Sequence, residues 1–460
     1  MPSSLLNGSI TNSAIIKNPA TNTGVTLIEL MVALAISTVL MLGIGSIFFS
    51  TKRGYQISDE FAQLQENGRY AMELVQQAVR DAGNLGCGSG FIGSIDSALD
   101  VAGAGSSFIY DFSTGIVGFE YTAGNTSPGN APFAIAANPS NGAAGDWTGP
   151  PAGQTTTSSS GNNIPVTYTL PANIAALAVP GSDILVTRSI VSSGVNVEAN
   201  NDAANLWATD TGTSNRSCPP LNGNGPSSAA ISDICPGDIL LVSDCTKSLV
   251  FQATNTSTPG NGPGACQTTN CMLIVHAASG TPGNAPPAAW GAVGGAASAN
   301  RQYGPGSEIL RVESKLFFVG VGADGNPSLY LSINNGAPVP IVDGVENMQV
   351  LYGVDTDDDG IPNQYYTADQ VEGAPGDKGT DQTFENVVST RIAMIVRTPN
   401  PMPGVDKTAA LAGNASILDV SMISSSANSA ITIQPANDSR LRKVFDLTVE
   451  LRNRASNIGI

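Results

Sequence analysis

One histidine, His276, stands in the whole 460-residue chain. That scarcity removes catalytic designs built on repeated imidazole acid–base chemistry, and metal sites that need several imidazoles. Basic residues are also few. Twenty Lys and Arg against 37 Asp and Glu give a formal net charge of −17. A surface for nucleic acid needs clustered cations to meet phosphates, so nucleic acid is not an expected partner. No Gly-x-Ser-x-Gly nucleophile elbow occurs. These absences leave those particular catalytic designs without their residues.

Charged residues make up 12% of the chain, while Gly (51) and Pro (29) are plentiful. Asn, Ser, Thr and Ala fill much of the rest. This mix suits strands joined by long polar loops better than a helical bundle.

Long hydrophobic runs are nearly absent, and the exception is informative. Leu30 to Thr51 is 22 residues without a charge. A bilayer core needs about 20 helical residues, so this run can span. A secretory signal would start nearer the terminus and end in a small-residue cleavage site. Here a polar stretch, residues 1–24, comes first, and one acid, Glu29, sits at the edge of the apolar run. Deep in a bilayer an uncompensated charge costs roughly 2.5–3.5 kcal/mol. A cut after Gly24 would give Val25 a new ammonium. On a helix Val25 and Glu29 are four apart and share a face, so the carboxylate could neutralise that amine or its equivalent on a neighbouring subunit. An ordinary anchor with a Glu at the interface is the plain alternative.

The helical pattern continues past the lipid-soluble run. Phe61, Leu64, Gly68, Ala71, Val75, Ala78 and Ala82 recur at three- and four-residue spacing, with Glu60, Glu66, Arg69, Glu73 and Arg80 mostly off that stripe. Tyr55 to Ala82 therefore reads as an amphipathic continuation ended by Gly83 and Gly86. The stripe needs a partner, most simply an antiparallel sheet. Strand-like runs follow at 107–112, 164–170, 183–191, 238–245, 308–321, 340–354, 387–398 and 444–454. Between several of them lie low-complexity loops at 122–163, 196–230 and 254–299, expected to decorate the sheet or stay mobile.

Six cysteines suggest disulfides, and sequence proximity favours Cys266 with Cys271, Cys218 with Cys235, and Cys87 with Cys245. Cys266, Cys271 and His276 also offer three zinc ligands, although no Cys-x2-Cys pair accompanies them. The stretch "DTDDDG" places Asp355, Asp357 and Asp359 at alternating positions before Gly360. Such carboxylates could wrap a calcium ion, at modest affinity because the twelfth loop position is Tyr366 and not Glu. The other reading is an acidic hairpin tip. "GVGADG" (320–325) follows a strand, but Pro327 and a second strand-like run come next. It reads as a hairpin turn and not a dinucleotide site. Tyr365 and Tyr366 read as sheet packing.

The segment "GVTLIEL", Gly24 to Leu30, resembles the processing site of type IV prepilins. Phrases at 65–87, 237–245, 342–360, 387–398 and 440–454 are similar, in order, to the PilW-type minor pilins of that family. Val25 stands where the family usually has Phe, and the leader is longer and less basic than usual. The resemblance implies an α+β pilin-like fold: a long N-terminal helix packed on an antiparallel sheet with long loop insertions. It implies a leader at 1–24, a transmembrane helix half at 25–51, an amphipathic half at 52–84 and a β-rich domain at 85–460. A prepilin peptidase would cut after Gly24 and methylate Val25, and Glu29 would serve subunit assembly.

Location would be the inner membrane, with the C-terminal domain periplasmic, and then the pilus at the cell surface. Partners would be other minor pilins, the major pilin, membrane lipid and a tip adhesin. The implied role is that of a non-enzymatic assembly protein that requires no cofactor, priming the fibre from a tip complex in support of twitching motility and adhesion. A minor pseudopilin of type II secretion and a membrane-anchored calcium-dependent adhesin are the alternatives.

Overall fold

The computed structural model describes residues 24–452 apart from 87–94, 102–106, 124–132, 135–140, 151–154, 158–162, 166–167, 220–227, 259–265, 267–270, 279, 286–289, 291–300, 358, 372–383, 403–414, 417–431 and 435–437. It divides into two compact units, 1–59 and 60–460. Helix α1 (Leu27–Asp81) runs through the boundary between them.

In the first unit the helix is apolar on every side. Its mean hydropathy reaches 2.4 over an 18-residue window, long and apolar enough to cross a membrane. Leu27, Ile36, Leu42, Ile47 and Phe49 are all exposed. Three hydroxyls within its apolar run bond to the helix itself. The hydroxyls of Ser37, Thr38 and Ser46 donate to the carbonyls of Ala33, Ala35 and Gly43 at 2.7–2.8 Å. That is how a lipid-facing helix satisfies its hydroxyls without water.

In the second unit the same helix buries one stripe: Leu64, Gly68, Ala71, Met72, Val75, Ala78 and Val79. The spacing predicts five of these. Phe61, expected in the stripe, is 42% exposed. Gly68 marks the closest approach to the sheet, because an added Cβ would lie 2.1 Å from the Phe445 ring. The helix stops where Gly83 adopts φ +74° and its amide donates to the Arg188 carbonyl. Only a residue tolerant of positive φ ends a helix this way.

The principal strands, in chain order, are β1 (Ile116–Tyr121), β2 (Ile184–Ile190), β3 (Val195–Ala199), β4 (Asn205–Thr209), β5 (Thr213–Cys218), β6 (Ser228–Ile231), β7 (Ile239–Ser243), β8 (Ser248–Gln252), β9 (Cys271–Val275), β10 (Glu308–Val321), β11 (Pro327–Ile333), β12 (Val339–Asp343), β13 (Val345–Val354), β14 (Gln364–Tyr366), β15 (Val387–Arg397) and β16 (Arg442–Glu450). Pairing is mostly antiparallel. Strand β10 is the hub of a 13-stranded sheet. Its first residues pair with β3 and β7, and its later ones with β2 and β11. A second sheet of four strands has the order β14-β13-β15-β16.

Two hydrophobic cores result. The larger joins α1 to both sheets. The smaller contains Val195, Leu206, Ala208, Met272, Ile274, Trp290 and Tyr303. Strands β7 and β8 lie between them. Ile239, Leu241 and Val250 enter the larger core, while Leu240, Val242, Leu249 and Phe251 enter the smaller. Burial on both faces explains why "ILLV" is a continuous apolar run and not an alternating one.

Four expectations change. Residues 107–110 form a 3-10 helix, not a strand, with Phe108, Ile109 and Tyr110 all buried. Of the run expected at 164–170, residues 163–165 form a short strand, 168–170 lie outside any strand, and 166–167 lie outside the described residues. The run 340–354 is two strands, broken where Gly344 takes φ +84°. The low-complexity stretches 196–230 and 254–299 contain β4, β5, β6 and β9. The composition of these stretches hides them because short runs such as those of β4 and β9 are flanked by long segments rich in Gly, Ser, Thr, Asn and Pro.

Candidate functional site

Thr26 and Glu29 close the start of α1 reciprocally. The Glu29 carboxylate accepts from the Thr26 amide and hydroxyl, both at 3.0 Å, and the Glu29 amide faces the Thr26 hydroxyl at 3.4 Å. This is a capping box, and its signal, Thr-x-x-Glu before an apolar run, is present in "TLIE". The sequence reading assigned Glu29 to an amine at Val25 and overlooked Thr26. Val25 lies ahead of the first helical residue, Leu27, so the four-residue helical relation does not hold between Val25 and Glu29 in this structure. Gly24 is under no steric demand, since an added Cβ would meet nothing within 4 Å.

The acidic loop follows β13. The ligand oxygens of Asp355, Asp357 and Asp359 lie within 4.8 Å of one another, with Asp355 buried and the other two exposed. Asp355 accepts from the Asp357 amide at 3.1 Å and the Gly360 amide at 2.7 Å. Gly360, at φ +82°, makes the turn that brings its amide inward. Asn363 ties the loop shut, donating to Asp357 and accepting from Thr356. The cluster offers oxygen ligands of the kind a hard cation takes. Tyr366 lies in β14, buried, with its hydroxyl on Gln364, so it adds no carboxylate.

Two expected disulfides are present, Cys218–Cys235 and Cys266–Cys271, each with Cα atoms 5.4 Å apart. With its thiols joined, the Cys266/Cys271 pair has no thiolate to give zinc. His276 instead stacks on Trp290, ring centroids 3.9 Å apart. Cys245 is also disulfide-bonded. Its expected partner, Cys87, lies outside the described residues. "GVGADG" is the β10–β11 hairpin, with Gly320 opposite Ser328 and Gly325 at φ +73°. Tyr365 and Tyr366 are buried in the four-stranded sheet, and Ser389 donates to the Tyr365 hydroxyl.

A buried ionic network crosses that sheet and gave no motif. Glu346 on β13 meets Arg397 on β15 at 3.1 Å and Arg442 on β16 at 2.7 Å, and Asp438 meets Arg442 at 2.7 Å. Burial works against the Arg442 charge, but the bonds from Asp438 and Glu346 outweigh it and raise its pKa. Burial likewise pushes Asp438 up, and its Arg442 and Arg440 contacts bring it below the usual carboxylate value. The residues are scattered over nearly 100 positions, so only strand pairing brings them together.

Two family models match. Residues 20–45 match the prokaryotic N-terminal methylation motif, and residues 316–453 match the type IV pilus-assembly protein W. The first covers the capped start of α1 and much of its apolar half. The second covers β10 from Leu316 through β16. The smaller core's strands lie outside both. No curated protein and no solved structure matches. Domains of this kind are structural rather than catalytic. The methylation motif on an apolar N-terminal helix is the arrangement of an inner-membrane-anchored pilin that is then incorporated in the pilus. With both signatures in order along one chain, the protein matches a PilW-type type IV pilin, and that match implies other pilins and a prepilin peptidase as partners.

Proposed function

We propose that the chain is a priming subunit at the tip of a type IV pilus, acting with other minor pilins and the major pilin in support of twitching motility and adhesion. The observation that carries this is a methylation motif on an apolar helix, joined in one chain to a PilW region built on the four-stranded sheet. The proposed division is a leader at 1–24, a transmembrane half at 25–51, an amphipathic half at 52–84 and an outer domain at 85–460. The prepilin peptidase cuts after Gly24 and methylates Val25. Glu29 then exchanges its Thr26 cap for an ammonium, its own or that of a neighbouring subunit. A large domain with a second core would crowd a regular shaft, which favours the tip and presentation of a larger adhesin there.

Mass analysis of the mature N-terminus tests the processing step. A protein beginning at methylated Val25 supports it, and one retaining residues 1–24 while working normally overturns it. Co-purification of the tagged full chain from membranes tests the role. Minor pilins among its companions support it, and secretion pseudopilins in their place would reassign it.

Asp355, Asp357 and Asp359 are proposed to hold calcium and fix the loop between β13 and β14. Chelation should then lower the melting temperature, and Asp357→Asn should abolish that response.

A further inference from the structure

The seam between the two sheets contains acids that neither sheet neutralises. Strands β1 and β2 pair antiparallel, with Phe119 opposite Ile184. The ladder ends there, and Glu120 and Asp183 are the next residues on the two chains. Both are buried, at 1% and 3% exposure. The Ala368 amide faces the Glu120 carboxyl, but neither carboxyl oxygen has a well-formed hydrogen bond. Asp183 accepts from the Val350 amide through Oδ2 at 2.9 Å, and its Oδ1 has no partner. Above them lies Tyr352 of β13, fully buried, its hydroxyl also without a partner. That hydroxyl rests on Gly118, where an added Cβ would lie 2.0 Å away. Gly118 and Glu120 share one face of β1, so the phenol and both carboxyls meet on the same side of the strand pair.

The place is structural as well as chemical. The loop entering β2 is where the large sheet grips the small one. The Asp183 amide donates to the Met348 carbonyl, the Met348 amide to the Ser182 hydroxyl, and the Asn347 side chain to the Gly181 carbonyl. The charges acting on the pair from neighbouring elements are acidic: Asp369 acts on both acids and Asp183 on Glu120. Tyr121, whose amide faces Asp183, has Asp146 beside it. Two ionised carboxylates facing each other in this environment would repel without screening.

We propose that Glu120 and Asp183 form a proton-held latch, in which uncharged acids close the seam between the two sheets and loss of their protons loosens it. Burial, then the negative neighbours, holds Glu120 far above the usual carboxylate range. Burial pushes Asp183 up to about 8. A carboxyl whose pKa is higher folded than unfolded binds more protons in the folded state. Its stabilisation is therefore complete below the unfolded value near 4 and is lost as pH rises towards the folded value. His276 acts in the opposite sense. Burial lowers it to about 4, so it destabilises only as pH falls below 6.5. Between pH 6.5 and 8.5 the acid pair is separated from it.

The test is thermal unfolding of the full chain in detergent from pH 6.5 to 8.5, for wild type, Glu120→Gln and Asp183→Asn, each with calcium or with EDTA. Wild type should lose several degrees across the range. Glu120→Gln and Asp183→Asn, each a permanently uncharged isostere, should each make the profile shallower than that of wild type, and Glu120→Gln should melt higher than wild type at pH 8.5. A flat wild-type profile overturns the latch, and it does so even if the variants fail to fold. So does a Glu120→Gln variant that melts lower by the same amount at every pH. EDTA lowering wild type but not Glu120→Gln would show that a cation, not protons, holds the pair. EDTA lowering both alike reports the Asp355 loop and leaves the pH profile to decide.

Discussion

Glu29 and Gly24 show how single residues in the same motif can differ in what the fold asks of them. Glu29 is held by Thr26 in the structure, whereas a Cβ added at Gly24 would meet nothing within 4 Å. Gly24→Ala should therefore leave the melting curve unchanged while blocking or slowing maturation, read as persistence of the longer form on a gel. Glu29→Val should insert normally but incorporate poorly into fibres, measured by piliation. Thr26→Ala separates the two roles of that carboxylate, because it removes the cap and keeps the charge. If charge is what the fibre needs, Thr26→Ala cells should remain piliated. Gly68 is the opposite case to Gly24. A methyl there meets the Phe445 ring, and overpacking of this kind costs about 1–3 kcal/mol. Gly68→Ala should lower the denaturant midpoint, and adding Phe445→Leu should recover part of the loss.

At the level of elements, the four-stranded sheet depends on charge inside it. Glu346 bridges Arg397 and Arg442 from adjacent strands, with all three side chains at most 3% exposed. Removing one member leaves buried charge unpaired, which costs about 3–5 kcal/mol. Glu346→Gln should therefore destabilise the sheet far more than Glu66→Gln on the helix surface. Acid should act on the same network through Asp438, whose pKa is lowered in the fold. A depressed carboxylate gives its stabilisation above the unfolded value of 3.8 and loses it as pH falls through the folded value. Protection factors in β15 and β16, corrected for the intrinsic pH dependence of amide exchange, should thus fall below about pH 4.

For the whole molecule, two cores share strands, and a two-stranded sheet with its own small buried cluster is tied covalently. Cys218–Cys235 pins β5 to the turn after β6, and Arg216 grips Asp238 beside it through two 2.6 Å bonds. A disulfide closing a loop of this size stabilises by about 3 kcal/mol. Cys218→Ser with Cys235→Ser should raise exchange in β5 and β6 while leaving β13 to β16 protected. Equal loosening in both regions would show that the two cores unfold as one.

The long helix, its change from all-round to one-sided apolarity, and the strands β10, β13, β15 and β16 were legible in the chain, because each is written in contiguous residues with a clear period. Gly24, Val25 and Glu29 were legible as a motif for the same reason, and so were the close cysteine pairs and the acidic loop. The strands of the smaller core were not. Val197 sits between Asn196 and Glu198, while Leu206 and Met272 lie in short apolar runs inside long polar stretches, and they acquire a core only when β7 and β8 present their second faces. Sequence alone therefore determined the membrane-type helix, the processing motif and the main strands, since local periodicity and spacing encode them. Tertiary structure alone decided the second core, the Glu346 network and the meeting of Glu120 with Asp183. Each joins residues tens of positions apart, and no local pattern records which distant side chain will neutralise a charge or fail to.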